Sequence, residues 1–159
     1  ESFKRLLAHS GVLASDAQRL ADTAADWIDG DDEVRAYGAE TEAYRRLTVP
    51  YRAANRFMEN ISELRAVEGY TPGVFLLLSE NVCVRPDTNH TALNIETLNQ
   101  ANGPLLAAMY SEELTVEDAQ GVIRNRPVSG WGSVEAFLGQ EAINRIAPES
   151  RNDAILGLR

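Results

Sequence analysis

Apolar residues along this 159-residue chain recur mostly at helical spacing, in short runs punctuated by capping residues, Gly and Pro. Leu20, Ala24, Trp27 and Ile28 mark the first clear helix, with Ser15 as its N-cap, Gln18 at N3 in a capping box and Gly30 past its end. Pro50 breaks a short apolar-aromatic segment, Tyr44 to Val49. Asn60 or Ser62 heads a short helix carrying Leu64 and Val67, which Gly69 ends. Thr71-Pro72 restarts the chain as N-cap and N1, where the missing N–H of Pro costs nothing, and Phe75, Leu76 and Leu78 are expected to face inward. That helix gives way near Asn81, and Pro86-Asp87 reads as a turn. A similar plan returns beyond residue 90. Leu93, Ile95 and Leu98 lead into a helix from about Gly103 to Tyr110; Thr115 caps the next, with Asp118 at N3 and Ala119, Val122 and Ile123 as its stripe. Gly130-Trp131-Gly132 makes a tight turn, and Ser133 caps a last helix with Val134, Phe137 and Leu138. Strand signals are few, Val82-Cys83-Val84 being the best of them. The pattern predicts a mostly α chain of two small short-helix bundles, residues 1–88 and 89–159, joined near Pro86 to Thr91, with few or no strands. Trp27, Leu64, Leu76, Ile123, Trp131 and Phe137 are its expected core.

Composition changes this picture chiefly by exclusion. A 44% hydrophobic and 25% charged chain can bury an ordinary globular core. The net charge is −9, from 15 basic and 24 acidic residues, and both halves are acidic, with a single Lys, Lys4. Phosphate binding leans on Lys and Arg, so nucleic acid is a poor partner. The one cysteine, Cys83, cannot form an internal disulfide; flanked by Val82 and Val84, it reads as a buried thiol. The longest apolar run, Val74 to Leu78, is far too short to span a bilayer. The chain opens on Glu1-Ser-Phe without an initiator Met or a signal peptide, so it is expected to be a piece of a longer protein.

Candidate chemistry concentrates in one stretch. Between Asp26 and Glu42 lie seven carboxylates (Asp26, Asp29, Asp31, Asp32, Glu33, Glu40, Glu42) and one Arg. Such crowding of like charge calls for water or a hard cation to relieve it, and loop carboxylates suit Ca²⁺, which takes about six to eight oxygen ligands. Asp29, Asp31 and Glu33 alternate, and Glu40 stands at the offset of the closing Glu of an EF-hand. Val34 occupies the place where an EF-hand needs Gly, so the loop is not a standard one. Spacing alone leaves a solvated acidic loop open as the alternative.

Asp26-Trp-Ile-Asp29-x-Asp31 followed by Gly38-Ala-Glu40-x-x-x-Tyr44 resembles the signature of the type II secretion minor pseudopilin K family. Glu63-Leu64-Arg65-x-Val67-x-Gly69-x-Thr71-Pro72, Val82-Cys-Val84, Leu93-Asn94-Ile95-x-Thr97-Leu98, Arg126-Pro127-x-x-Gly130-Trp131 and Phe137-Leu138 continue the match in order. The resemblance implies a non-catalytic periplasmic α-helical domain, inserted in a pilin fold, of an inner-membrane-anchored protein. It further implies a place at the tip of a secretion pseudopilus beside minor pseudopilins I and J, with exported cargo or the outer-membrane secretin as further candidate partners. Because the family's α-domain binds calcium, the resemblance implies a structural Ca²⁺ at the acidic loop. Asp29, Asp31 and Glu40 are the expected ligands, with Glu33 or Glu42 and backbone carbonyls completing the shell. Asp26, a turn earlier on the helix, and Asp32, pointing away from Asp31 in an extended loop, are not expected to bind.

Three rival functions bear on the same residues. A carboxylate-based hydrolase would need an acid/base pair in a cleft, with Trp27 and Trp131 stacking on sugars; both Trp residues read better as core. His9 and His90 lack paired Cys or H-E-x-x-H spacing, and no Gly-rich phosphate loop or nucleophile elbow is present. The second half also resembles SAM-like and helix-hairpin-helix domains, a nucleic-acid-binding fold. Here Ser111-Glu-Glu-Leu-Thr replaces the hairpin glycines, and its carboxylates repel phosphate. The third rival is a plain interaction domain without metal, in which Arg124 and Arg126 are solvated or paired with local acids.

Overall fold

The structure, a computed structural model, describes residues 1–85, 92–110, 113–148 and 150, and the backbone of residues 156–157. The chain forms two compact units, one of residues Ser10–Asn89 and one of Glu1–His9 with His90–Arg159. The expected junction from Pro86 to Thr91, with His90, and the Ser111-Glu112 pair of the second-half hairpin lie outside the described residues.

The unit of residues 10–89 is built on α2 (Ala14–Ile28), which buries Ala17, Leu20, Ala24 and Trp27 along one stripe. The helix starts before Ser15, with Leu13 as N-cap, so the expected capping box does not form; Gln18 instead donates its amide to Asp22 Oδ1 at 2.9 Å, one turn on. α3 (Thr41–Arg45) follows the acidic loop. A 3-10 turn over Ile61–Ala66 is capped reciprocally: Asn60 Oδ1 accepts from the Ser62 amide at 2.9 Å, and Glu63 Oε1 accepts from the Asn60 amide at 3.0 Å. Tyr70 ties the far side of this turn back to α2, its hydroxyl donating to Leu20 O at 2.8 Å.

Thr71 caps α4 (Pro72–Leu78) as expected, accepting from the Val74 amide at 3.3 Å. Leu76, however, is 69% exposed. In a helix of two turns that buries Leu78, the residues three and four positions earlier share its face, and Leu76 lies opposite. Val82-Cys83-Val84 forms no strand, and Cys83 is exposed rather than buried. Alternation explains the thiol: Val82 and Val84 are half-buried, and the residue between them turns outward.

The second unit contains α1 (Ser2–His9), α5 (Gly103–Met109), α6 (Val116–Arg124), α7 (Val134–Leu138) and α8 (Glu141–Asn144). The expected boundary assigned the first nine residues to the first bundle; α1 packs instead on α5. Leu6 and Leu7 are buried there, and Arg5 Nε donates to Ala108 O at 2.9 Å. Thr115 caps α6, accepting from the Asp118 amide at 3.0 Å, and Ser133 caps α7, accepting from the Ala136 amide at 3.0 Å. The core gathers Leu106, Tyr110, Leu114, Ile123, Phe137 and Ile143, with Trp131 edge-on to Phe137 at 5.5 Å. Two-residue strands β1 (Leu93–Asn94) and β2 (Leu156–Gly157) pair in parallel and are the sole ladder among the described residues. The architecture is mostly α, and no described helix is long and apolar enough to cross a membrane.

The Arg126-to-Trp131 segment is held by Glu96. Its Oε1 accepts from the Trp131 amide at 2.7 Å and the Gly132 amide at 3.3 Å, while Arg126 Nη1 donates to the carbonyls of Glu96 and Leu98. Gly130 has φ +82, and a Cβ there would come within 2.8 Å of the Glu96 carboxylate, so only glycine seats the turn on it. Glu96→Ala removes the acceptor of both amides, of which that of Trp131 is partly buried and that of Gly132 exposed, and is expected to destabilise this unit by about 1–2 kcal/mol, read as a lower urea midpoint at unchanged slope.

Candidate metal centre

The acidic loop spans the gap between α2 and α3, and both helix ends carry a candidate ligand. Asp29 is the C-cap of α2 and Glu40 the N-cap of α3, each with extended backbone that turns its side chain out of the helix. Between them Asp31 makes a tight local turn, its Oδ1 accepting from the Glu33 amide at 2.8 Å. Asp29, Asp31 and Glu40 each bring one carboxylate oxygen within 4.8 Å of the other two. Two oxygens on opposite sides of a calcium ion, each at about 2.3–2.6 Å, stand about 4.6–5.2 Å apart, so this spacing is of the right size.

Burial makes the cluster more than a surface patch. Glu40 is 3% exposed, and neither of its carboxylate oxygens accepts a well-formed hydrogen bond. Asp29 Oδ1 and Asn55 Oδ1 are also buried without a hydrogen-bond partner. Burial first, then the charges of Asp26 and Asp29, push the Glu40 carboxyl up to about 7, against a smaller pull from the Thr41 amide. A buried carboxylate without a donor, one of whose oxygens lies within 4.8 Å of oxygens from half-buried Asp29 and exposed Asp31, is what a hard cation satisfies. The donor set is all oxygen, which suits Ca²⁺ or Mg²⁺ and not the softer metals that prefer thiolate or imidazole.

The remaining acids have other occupations. Asp26 is fully buried: its Oδ1 forms an ion pair with Arg35 Nε at 3.3 Å, and its Oδ2 accepts from the Arg35 backbone N–H at 3.2 Å. Arg35 also donates from Nη2 to Asp29 Oδ2 at 2.8 Å, leaving Oδ1 to the cluster. Glu42 is exposed and pairs with Arg45 and Arg46, while Glu33 is exposed and stands outside the trio. Asp32 is exposed and accepts from Asn55 Nδ2 at 3.4 Å. Sequence reasoning missed Asn55 and the Arg35 clamp. The only cue to Arg35 was its being the one base among seven acids, and Asn55 carried none.

The Glu40 carboxyl also sets a pH dependence in the absence of metal. A carboxyl whose folded pKa lies above its unfolded value favours the folded state when protonated, so stability is full below the unfolded pKa and falls as pH rises through the folded one. In chelator the unit is expected to lose stability as pH rises from about 4.5 to about 7, and Glu40→Gln is expected to flatten that part of the profile in thermal melts.

Two family profiles described as "Type II secretion system (T2SS), protein K" match the chain, one over residues 1–87 and the other over residues 93–159. Type II secretion system protein K of Pectobacterium carotovorum is 36% identical over 96% of this chain and 45% of its own length. The protein of the same name from Aeromonas hydrophila is 36% identical over 88% of the chain and 42% of its own length. The chain thus spans less than half the length of these relatives. In the crystal structure of the GspK-GspI-GspJ complex from enterotoxigenic Escherichia coli, one chain superposes with a TM-score of 0.86 at 28% identity, over 99% of this chain and 54% of that one. With profiles covering nearly its whole length and relatives of the same family 36% identical to it, this chain belongs to the type II secretion system protein K family.

Proposed function

We propose that this chain is the periplasmic, calcium-stabilised helical domain of a minor pseudopilin, a non-catalytic structural part of a secretion pseudopilus tip that assembles with minor pseudopilins I and J. The observation supporting the assembly role is the likeness over 99% of the chain to a protein solved in complex with its I and J partners. Asp29, Asp31 and Glu40 supply carboxylate oxygens to one Ca²⁺, and backbone carbonyls of the loop complete the shell. What supports the cation is the buried Glu40 carboxylate, which brings an oxygen to the cluster and accepts no well-formed hydrogen bond. The ion's part is electrostatic: it cross-links the C-terminal end of α2 to the start of α3 and offsets the repulsion of the acids around them. A cation bound only by the folded state stabilises it by mass action, by about 2.7 kcal/mol at 100 times the dissociation constant.

Co-expression of the longer protein that carries this domain with its I and J proteins tests the assembly role. A stable ternary complex in stoichiometric yield is expected. A longer protein that folds but elutes alone would contradict it, and detectable turnover abolished by changing a single carboxylate would contradict the non-catalytic assignment.

A further inference from the structure

The segment that leaves α3, Arg45-Arg46-Leu-Thr-Val-Pro-Tyr-Arg52, is exposed at every residue and runs against the character of the chain. In a protein of net charge −9 it carries three arginines and no acid, and no acid occurs anywhere from Ala43 to Met58. Leu47, Val49 and Tyr51 lie among the arginines, at 46%, 75% and 38% exposure. A merely solvated loop gains nothing from exposed apolar side chains, whereas Arg and Tyr together are what binding surfaces concentrate. The arginines are not fully engaged within their own unit. Glu42 pairs with Arg45 at 3.9 Å and Arg46 at 3.4 Å, but both pairs lie at the surface, where they contribute little. Arg52 makes no hydrogen bond or ion pair among the described residues, and it lines one open cleft with Arg45. The acids of that cleft have their own places: Glu42 in those pairs, Asp32 accepting from Asn55, and Glu40 buried.

The main chain of the segment is also available. From Thr48 to Ala54 no N–H or C=O is hydrogen-bonded among the described residues. Side chains nonetheless hold the segment in place. Tyr51 stacks on Tyr44 at 5.3 Å and donates its hydroxyl to Ala66 O at 2.7 Å, and Ala53 is buried. A surface ordered in advance loses little freedom when a partner lands on it. We infer that residues 45–52 are a docking surface for an extended acidic segment of a partner protein. Carboxylates of that segment meet Arg45, Arg46 and Arg52, and its apolar side chains cover Leu47 and Val49. Its main chain bonds to the open N–H and C=O groups, as a segment laid along another can. The sign of the partner follows from the sign of the surface, since a basic segment would be repelled here. The inference goes beyond the assembly and calcium readings and depends on neither.

Fluorescence anisotropy with a short labelled peptide, Glu-Glu-Leu-Val-Glu-Glu, tests this on the parent chain, Arg52→Glu and Val49→Ser. The parent is expected to bind it, more weakly as salt is raised. Binding should be at least about tenfold weaker in Arg52→Glu, which sets like charges against each other, and at least about threefold weaker in Val49→Ser. Both variants should melt at the parent's temperature, because both side chains are exposed and Arg52 has no partner to lose, so the loss of binding is not a loss of fold. The parent should bind Glu-Glu-Ser-Ser-Glu-Glu more weakly and Lys-Lys-Leu-Val-Lys-Lys not at all. A parent that ignores the acidic peptide at about millimolar concentration, an Arg52→Glu chain that binds it unchanged, or equal binding of the basic peptide would each overturn the proposal. Sedimentation velocity on the chain alone supplies the remaining outcome. Self-association that Arg52→Glu abolishes would give the surface to a second copy of this chain and overturn the partner segment.

Discussion

Gly38→Ala is expected to unseat the acidic loop and destabilise its unit by about 3–5 kcal/mol. A Cβ at this position would stand 1.9 Å from Asp26 Oδ2 and 2.7 Å from its Cγ, with no room to spare on a fully buried side chain. Asp26 would be driven from the Arg35 N–H that it accepts from and the guanidinium that it pairs with. Burial already raises its carboxyl above the usual range, with Arg35 as the opposing influence, so a displaced Asp26 becomes a buried charge without compensation. Arg35 would lose its seat, and with it the clamp on Asp29. Urea denaturation in chelator measures the effect. Adding Asp26→Ala removes the clashing carboxylate, so the double variant should be less destabilised than the sum of the singles. A Gly38→Ala protein within about 0.5 kcal/mol of the parent would show that the loop is not packed on Asp26.

The second large effect is expected at Tyr44. Its ring, 1% exposed, stacks on Tyr51 at 5.3 Å and meets Trp27 edge-on at 5.1 Å, and its hydroxyl accepts from the Glu68 amide at 3.3 Å. Tyr44→Ala should cost about 3–5 kcal/mol by loss of buried area and the cavity left behind. Tyr44→Phe keeps the packing and should cost only about 0.5–1.5 kcal/mol. The cluster does more than fill space. Trp27 sits two residues before Asp29 and Tyr44 four after Glu40, so the aromatic contact fixes the separation of the two helix ends that carry these carboxylates. Tyr44→Ala is therefore expected to weaken Ca²⁺ binding as well as lower the urea midpoint, whereas Tyr44→Phe should leave the binding unchanged.

Local signals were legible in the sequence wherever a single residue decides the matter. Thr71, Thr115, Ser133 and Asn60 cap the helices or turns they were expected to cap, because a short polar side chain at a helix start has few competing uses. Ser15 failed because the helix already begins before it, with Leu13 at the N-cap, which leaves Gln18 to pair with Asp22 on the same helix. Leu76 failed because its neighbours are equally apolar: in Val-Phe-Leu-Leu-Leu, composition cannot say which face turns inward. The placement of α1 on α5 depends on a contact between residues about a hundred positions apart, Arg5 and Ala108, beyond the reach of periodicity. The acidic loop showed the same division. Asp29, Asp31 and Glu40, near in sequence and flanking two helix ends, were readable as a set. Asn55 and the Asp26–Arg35–Gly38 packing were not, since each depends on the folded path of the chain rather than on local pattern.

Thermal unfolding of the chain in chelator, in Ca²⁺ and in Mg²⁺, run in parallel on Asp31→Ala, tests the proposed calcium stabilisation most directly. Ca²⁺ is expected to raise the melting temperature of the parent with the logarithm of its concentration, the added stability reaching about 2.7 kcal/mol at 100 times the dissociation constant. Mg²⁺ should do little, since it holds its waters and demands a tight octahedron, and Asp31→Ala should lose most of the calcium response. A parent whose melting temperature is the same in chelator and in Ca²⁺, with Asp31→Ala indistinguishable from it in both, would mean that the loop between α2 and α3 is only a solvated acidic surface.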